Sequence, residues 1–141
     1  MDRKKNTSDI EVNDSICNNF QDQVSKVLIR HKSVLDIITK LDEYNSRVSR
    51  AVAKSVTNCG CISINAKKQD FSNITFEEMA SRAESHLEGH LCDNCKDVIE
   101  EEIGSYLFYL AALSNTLNVD LSEIIEKEND RIKTLGIFNL T

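Results

Sequence analysis

Apolar side chains between Ser15 and Thr57 recur in alternating steps of four and three residues, a heptad pattern. Its positions are Phe20, Val24, Val27, His31, Val34, Ile38, Leu41, Asn45, Val48 and Val52, of which only His31 and Asn45 are polar. Such spacing predicts one long helix, which would span about 60 Å. Because that length exceeds a compact domain of 141 residues, the helix must either kink within a bundle or project and pair with a second chain. The pattern is compatible with both arrangements.

The composition favours an all-α fold, because the chain has no proline and only four glycines, whereas sandwiches and barrels need frequent turns. We predict a bundle of about four helices in one domain, residues 15–141, preceded by a flexible polar tail, residues 1–14. The formal net charge of -6 argues against nucleic acid as a partner. No apolar run suits a signal peptide or a membrane span, so we expect a cytoplasmic protein with reduced thiols.

The second helix is predicted from a capping signature. Thr75 is a suitable N-cap, and Glu78, three residues later, completes a capping box. We expect this helix to end at Glu88 or His90, beside its natural stop Gly89.

Two further helices are predicted nearer the end of the chain. The third begins with Asp93 or Asn94 as its cap and is apolar on nearly all sides over residues 106–113, which is typical of a helix central to a core. The last begins at the N-cap Asp120 and ends at Gly136.

Four of the five cysteines form two close pairs, Cys59-x-Cys61 and Cys92-x2-Cys95. The first pair lies in a predicted loop, residues 57–74, and the second lies directly before the third helix. Two thiol pairs at this spacing are typical of a four-thiolate zinc site, in which each short segment supplies two ligands. We therefore predict that these four cysteines bind a structural Zn2+ ion.

The same cysteines allow other chemistry. A redox-active dithiol or an iron–sulfur cluster also uses paired cysteines, and buried reduced thiols need no metal at all. His86 and His90 are spaced one helical turn apart beside Cys92, so they could replace a thiolate or form a second site. The commoner role of such histidines is that of solvated helix residues. Cys17 has no nearby partner and is interpreted as a half-buried filler.

Carboxylates form a second group of interest. Glu84 and Glu88 are expected at i and i+4 on the second helix, and Glu101 and Glu102 lie in an acidic run on the third. Carboxylates from two packed helices can hold Mg2+, which in turn binds nucleotide phosphates. Acidic residues early in a helix also match its dipole, so a solvated helix face is the alternative.

The segment 101–110 reads Glu-Glu-Ile-Gly-Ser-Tyr-Leu-Phe-Tyr-Leu. It resembles the third-helix motif of the MazG-like nucleoside triphosphate pyrophosphohydrolases, Glu-Glu-Leu-Gly-Asp followed by Leu-Leu-Phe. Residues 117–131 resemble the closing helix of that all-α superfamily, so the likeness covers about residues 75–136. The paired cysteines are not part of the usual enzyme pattern and are similar to those of a divergent group of small bacterial members.

The resemblance implies hydrolysis of nucleoside triphosphates to monophosphate and pyrophosphate with Mg2+. It implies catalytic carboxylates at Glu84, Glu88, Glu101 and Glu102. It implies nucleotide contacts at Lys127, Asn129 and Asp130. Ser105 stands where the family has an aspartate ligand of Mg2+.

The sequence thus supports more than one function. The first is a metal-dependent nucleoside triphosphate pyrophosphohydrolase, which the resemblance implies. The alternative is a catalytically degenerate, zinc-stabilised helical protein that binds a partner or senses a nucleotide. A thiol redox switch would use the same cysteines. We expect a homodimer.

Overall fold

The structure is a computed structural model that describes the backbone of residues 7–136 and the side chains of residues 16–136. Within this part of the chain the fold is all-α, as predicted, apart from one two-stranded sheet. The elements in chain order are α1 (Thr7–Val27), α2 (Val34–Lys54), a π turn (Ser55–Cys59), β1 (Ile62–Ile64), α3 (Phe76–Arg82), β2 (Leu87–Gly89), α4 (Asp93–Thr116) and α5 (Leu121–Leu135).

Helix α1 begins at Thr7, so it includes part of the segment 1–14 that the sequence assigns to a tail, and residues 1–6 lie outside the described part. None of the described helices combines the length and the apolar character that crossing a bilayer requires. The chain divides into two compact units, one formed by Met1–Tyr44 with Ser105–Thr141 and the other by Asn45–Gly104.

The prediction of a single long helix over residues 15–57 is wrong. One helix, α1, ends at Val27, and a second, α2, begins at Val34. His31 adopts a left-handed backbone with φ of 57°, and Ser33 directly precedes α2. The Ser33 hydroxyl accepts the N–H of Leu35 at 3.3 Å, and its carbonyl accepts that of Ile37 at 3.0 Å. The break raises the number of described helices to five.

The core of the first unit is formed by Val24, Ile37, Ala111 and Ala112, each at most 2% exposed. Partly buried apolar side chains surround it: Phe20, Leu28, Leu41, Phe108, Leu113 and Leu121. Positions from both halves of the heptad pattern therefore pack within the chain, as expected for bundle helices. The two alanines show that α4 is central to this core, as its apolar stretch predicts.

A buried glutamine joins α1 to the turn between α4 and α5. Gln21 is only 9% exposed. Its amide donates to Asn115 Oδ1 and to Val119 O, at 3.1 Å in each case, and its Oε1 accepts the N–H of Leu121 at 2.8 Å. Asn115 donates in return to the carbonyl of Gln21 at 2.9 Å. Because these polar atoms are bonded, the network can be buried without a large desolvation penalty.

The predicted ends of α5 are confirmed. The carboxylate of Asp120 accepts the N–H of Ser122 at 2.7 Å and that of Glu123 at 3.3 Å. Gly136 is the C-cap and donates its N–H to the carbonyl of Ile132.

In the second unit, the predicted capping box of α3 is confirmed, since Thr75 and Glu78 exchange both of its hydrogen bonds. However, α3 ends at Arg82, because Ala83 turns to extended backbone with ψ of 131°. The expected continuation to residues 88–90 is therefore wrong. That stretch forms β2 instead, and the predicted loop 57–74 contains its partner β1.

Strands β1 and β2 are antiparallel. The facing pairs are Ile62 with Gly89, Ser63 with Glu88, and Ile64 with Leu87. The N–H of Asn65 also donates to the carbonyl of His86 at 2.8 Å. In this unit the only buried residues are Ser55, Ile62, Cys95 and Ile99, which is a small core for its length.

Candidate metal centre

The four paired cysteines converge in the second unit. The Sγ atoms of Cys59, Cys61, Cys92 and Cys95 all lie within 4.8 Å of one another, and those of Cys59 and Cys92 are 3.8 Å apart. Four sulfurs bound tetrahedrally to zinc at about 2.3 Å would be about 3.8 Å apart. None of the cysteines forms a disulfide. Among the described residues no other group of three or more histidine, cysteine or acidic side chains could hold a metal ion.

A π turn, Ser55–Cys59, presents the first pair at the end of α2. The turn closes where the N–H of Gly60 donates to the carbonyl of Ser55 at 2.9 Å. Gly60 has φ of 77°, a left-handed conformation that glycine adopts readily. The Cys61 thiol donates to the same Ser55 carbonyl at 3.8 Å. The turn thus orients both thiols of the CxC segment.

The second pair lies at the start of α4. Cys92 precedes the helix, and its Sγ accepts the N–H of Cys95 at 3.4 Å, the bond that an N-cap oxygen normally makes. The predicted caps Asp93 and Asn94 are therefore wrong, because the sulfur of Cys92 takes this role and the helix already includes both residues. The positive end of the helix dipole favours thiolates at this position.

Gly89 brings the sheet against the cysteine site, a role that differs from the one predicted from the sequence. It lies in β2 opposite Ile62 and has φ of 82°, so its predicted role as a helix stop is wrong. A Cβ at this position would lie 2.7 Å from the carbonyl oxygen of Cys61. Only glycine fits here without a shift of backbone. An isolated glycine in a strand often signals such a close approach, but the strand itself has to be recognised first.

Hydrogen bonds and burial give Cys59, Cys92 and Cys95 different pKa values. The N–H of Cys95, followed by its thiol, lowers the pKa of Cys92 to about 7. A hydrogen bond with Ser55 lowers the pKa of Cys95, but the other three thiols and burial outweigh it and raise that pKa to about 12. The N–H of Cys61 lowers the pKa of Cys59, yet neighbouring thiols and burial raise it on balance. The cluster therefore loses one thiol proton readily, but repulsion between thiolates opposes the loss of more. A bound cation would relieve that repulsion.

The structure does not place Glu84 and Glu88 together on a helix, so that prediction is wrong. Glu84 follows α3, and its N–H donates to Gln69 Oε1 at 3.1 Å. Glu88 lies in β2, and its Oε1 accepts a hydrogen bond from Asn65 at 3.1 Å. Both glutamates are exposed.

Glu101 and Glu102 lie on α4, as predicted. Glu101 is exposed, whereas the side chain of Glu102 is only 23% exposed and its carboxylate lies 3.9 Å from the guanidinium of Arg47 on α2. Ser105 is half-buried on the following turn. Within the described residues, the four predicted carboxylates do not form a metal-binding group.

The residues predicted to contact nucleotide are all exposed on α5. They are Lys127, Asn129 and Asp130. These residues belong to the first compact unit, whereas the four predicted carboxylates belong to the second.

The histidines do not join the cysteine site. His86 is half-buried rather than solvated and adopts φ of 60°, and within the described chain its buried Nε2 has no hydrogen-bond partner. It lines a polar groove of about 270 Å³ formed by residues 65, 67 and 84–88. His90 is exposed. Cys17 is half-buried on α1, as expected.

No family model matches the chain, and no match was found among curated proteins or among solved structures. The MazG-like resemblance therefore stays a prediction. The geometry of the cysteine site is the strongest guide to function.

Proposed function

We propose that the four cysteines bind one zinc ion, and that the protein is a zinc-stabilised helical protein that acts by binding a partner rather than by catalysis. The convergence of four Sγ atoms, with 3.8 Å between those of Cys59 and Cys92, carries the zinc-binding part of the proposal. Four thiolates fill the coordination of zinc and leave no position for a reactive water molecule, which is the arrangement of structural zinc. An iron–sulfur cluster fits less well, because thiolates bound to different irons stand farther apart than those on one ion.

A structural role for the metal also follows from the size of the core. The second unit buries only two aliphatic side chains, Ile62 and Ile99, beside Cys95 and Ser55. So little apolar burial gives weak support to the sheet and to α3. A zinc ion would join the end of the π turn to the start of α4, and its binding free energy would become folding free energy.

The test is the zinc content of the purified, reduced protein, measured by elemental analysis. We expect one zinc ion per chain, since four thiolates complete one tetrahedral site. The variants Cys59→Ser and Cys95→Ser should bind zinc more weakly, whereas the matched control Cys17→Ser should keep it, because Cys17 lies outside the cluster. A wild-type protein that binds no zinc, or a Cys95→Ser variant that binds as much as wild type, would contradict the proposal.

Nucleoside triphosphate pyrophosphohydrolysis with Mg2+ is our second proposal. The resemblance of residues 101–110 supports it, as does the half-buried position of Glu102 beside Arg47. We expect Mg2+-dependent release of pyrophosphate that Glu102→Gln abolishes. Glu100→Gln is the matched control, because Glu100 is an exposed carboxylate on the same helix paired with Lys96. Equal activity in wild type and Glu102→Gln, or none in wild type, would refute the proposal.

We further propose that the protein works as a homodimer in the cytoplasm. The exposed apolar side chains of Leu35 and Ile38 on α2, 70% and 45% exposed, support self-association. The four cysteines must stay reduced to bind zinc, which fits a cytoplasmic location. Light scattering on the purified protein measures its mass, and a monomeric mass at micromolar concentration would refute the dimer.

A further inference from the structure

We propose that the cysteine site is an oxidation-sensitive switch. A peroxide oxidises Cys59 and Cys92 to a disulfide, and the zinc ion is thereby released. This inference rests on the proposed zinc binding and adds its regulation. It is carried by three observations, namely the unequal exposure of the four thiols, the open space at one of them, and the distance to its neighbour.

The four thiols differ in their access to solvent. Cys59 is exposed, Cys61 and Cys92 are half-buried, and Cys95 is only 9% exposed. Oxidation of cysteine follows thiolate character and exposure. Zinc binding makes all four sulfurs thiolates, so exposure decides which one a peroxide reaches first. That sulfur is Cys59.

Open space lies beside Cys59, whereas the backbone of Cys61 is packed against the sheet. A Cβ on Gly60, next to Cys59, would meet nothing within 4 Å. The carbonyl of Cys61, in contrast, lies 2.7 Å from the position of a Cβ on Gly89, and the Cys61 thiol contacts the Ser55 carbonyl at 3.8 Å. Cys59 is therefore the accessible ligand with free space beside it, and Cys61 is the ligand held against neighbouring backbone.

Cys92 is the sulfur that Cys59 meets across the site. Their Sγ atoms are 3.8 Å apart, so forming a disulfide of about 2.05 Å needs an approach of less than 2 Å. Cys95 is the less accessible alternative, because it is buried within the first turn of α4. The pairing Cys59–Cys92 would link the end of the π turn to the start of α4.

The chemistry balances with hydrogen peroxide as the oxidant. The Cys59 thiolate attacks one peroxide oxygen, the O–O bond breaks, and hydroxide leaves, so that Cys59 becomes a sulfenic acid. The Cys92 thiolate then attacks the Cys59 sulfur, the S–S bond forms, and a second hydroxide leaves. Two protons convert the hydroxides to two water molecules. Two thiolates have lost two electrons to the peroxide, and the zinc ion keeps only two of its four sulfur ligands.

The test starts from reduced, zinc-loaded protein in the Cys17→Ser background, which leaves only the four cluster thiols. Hydrogen peroxide is added, released zinc is followed with a coloured chelator, and disulfides are mapped by mass spectrometry. We expect one zinc ion released for each Cys59–Cys92 disulfide, and full recovery of binding after reduction by a dithiol with added zinc. The variant Cys59→His, which offers zinc a nitrogen ligand, should retain its measured initial zinc at peroxide concentrations that empty the parent.

Two results would overturn the inference. The first is zinc-loaded protein that keeps its metal at peroxide concentrations that oxidise free thiols. The second is loss of zinc accompanied by a different disulfide, such as Cys92–Cys95, or by irreversible sulfinic acid. Either result leaves intact the proposal that the reduced protein binds zinc. Reduced protein that never binds zinc contradicts the proposed function as well, and the initial zinc measurement identifies that outcome.

Discussion

Substituting Gly89 by alanine should weaken zinc binding, although Gly89 is not one of the proposed zinc ligands. Gly89 has φ of 82°, and a Cβ there would lie 2.7 Å from the carbonyl oxygen of Cys61. The substitution therefore forces either β2 or the Cys61 backbone to move. Because Cys61 is a proposed zinc ligand, that movement is transmitted directly to the site.

The magnitude has two parts. A left-handed backbone costs a residue with a Cβ about 1–2 kcal/mol. The steric contact with a backbone atom, which cannot rotate away, adds about 1–3 kcal/mol by analogy with overpacked cores. We therefore expect Gly89→Ala to lose about 2–5 kcal/mol from the coupled folding and zinc binding of the second unit, where each 1.4 kcal/mol is about tenfold in affinity.

Two other glycines serve as matched controls in zinc competition titrations and urea unfolding. Gly60 has φ of 77° but open space around its Cβ position, so Gly60→Ala should lose only the backbone part, about 1–2 kcal/mol. Gly104 lies within α4 with nothing within 4 Å, so Gly104→Ala should stabilise the helix by about 0.5–1 kcal/mol. A Gly89→Ala protein that loses no more than Gly60→Ala would refute the steric reasoning.

Replacing Gln21 by alanine should lower the free energy of unfolding by about 2–4 kcal/mol, because three partners lose their hydrogen bonds; a loss below about 0.5 kcal/mol in urea denaturation would contradict this, because that is the range of ordinary surface changes. Asp120→Ala should cost about 1 kcal/mol through its lost cap, and an unchanged denaturation midpoint would count against it. Zinc affinity should fall as the pH is lowered, because binding releases the protons of four thiols; an affinity that does not change with pH in competition titrations would be inconsistent with four thiolate ligands.

Features that depend on a few neighbouring residues could be predicted from the sequence. The caps Thr75 and Asp120 were identified because their bonds reach only two or three residues along the chain. The cysteine cluster was predicted for a related reason, since each pair fixes two ligands locally and only the meeting of the pairs is long-range.

The break between α1 and α2 was missed because the heptad pattern continues across it. Val34 and Ile38 keep the spacing of the first helix although they lie in the second. The signal was Ser33, whose hydroxyl and carbonyl begin α2. Hydrophobic periodicity reports which residues face a core, and it does not report whether the backbone between them is continuous.

The sheet was missed because each strand is three residues long, and too short to show an alternating pattern. Its pairing joins residues more than 20 positions apart, such as Ile62 and Gly89, which no local rule predicts. The predicted helical position of Glu84 and Glu88 is wrong for the same reason, because α3 ends at Arg82 and β2 follows it.

The central claim is that zinc bound by the four cysteines holds the second unit together. Amide hydrogen exchange across the whole chain, compared between zinc-loaded and chelator-treated reduced protein, tests it most directly. Our account predicts that removing zinc abolishes protection over the sheet and the start of α4, while the amides around Val24 and Ala111 in the first unit's core stay protected. Unchanged protection in residues 55–95 after complete removal of the metal would contradict it.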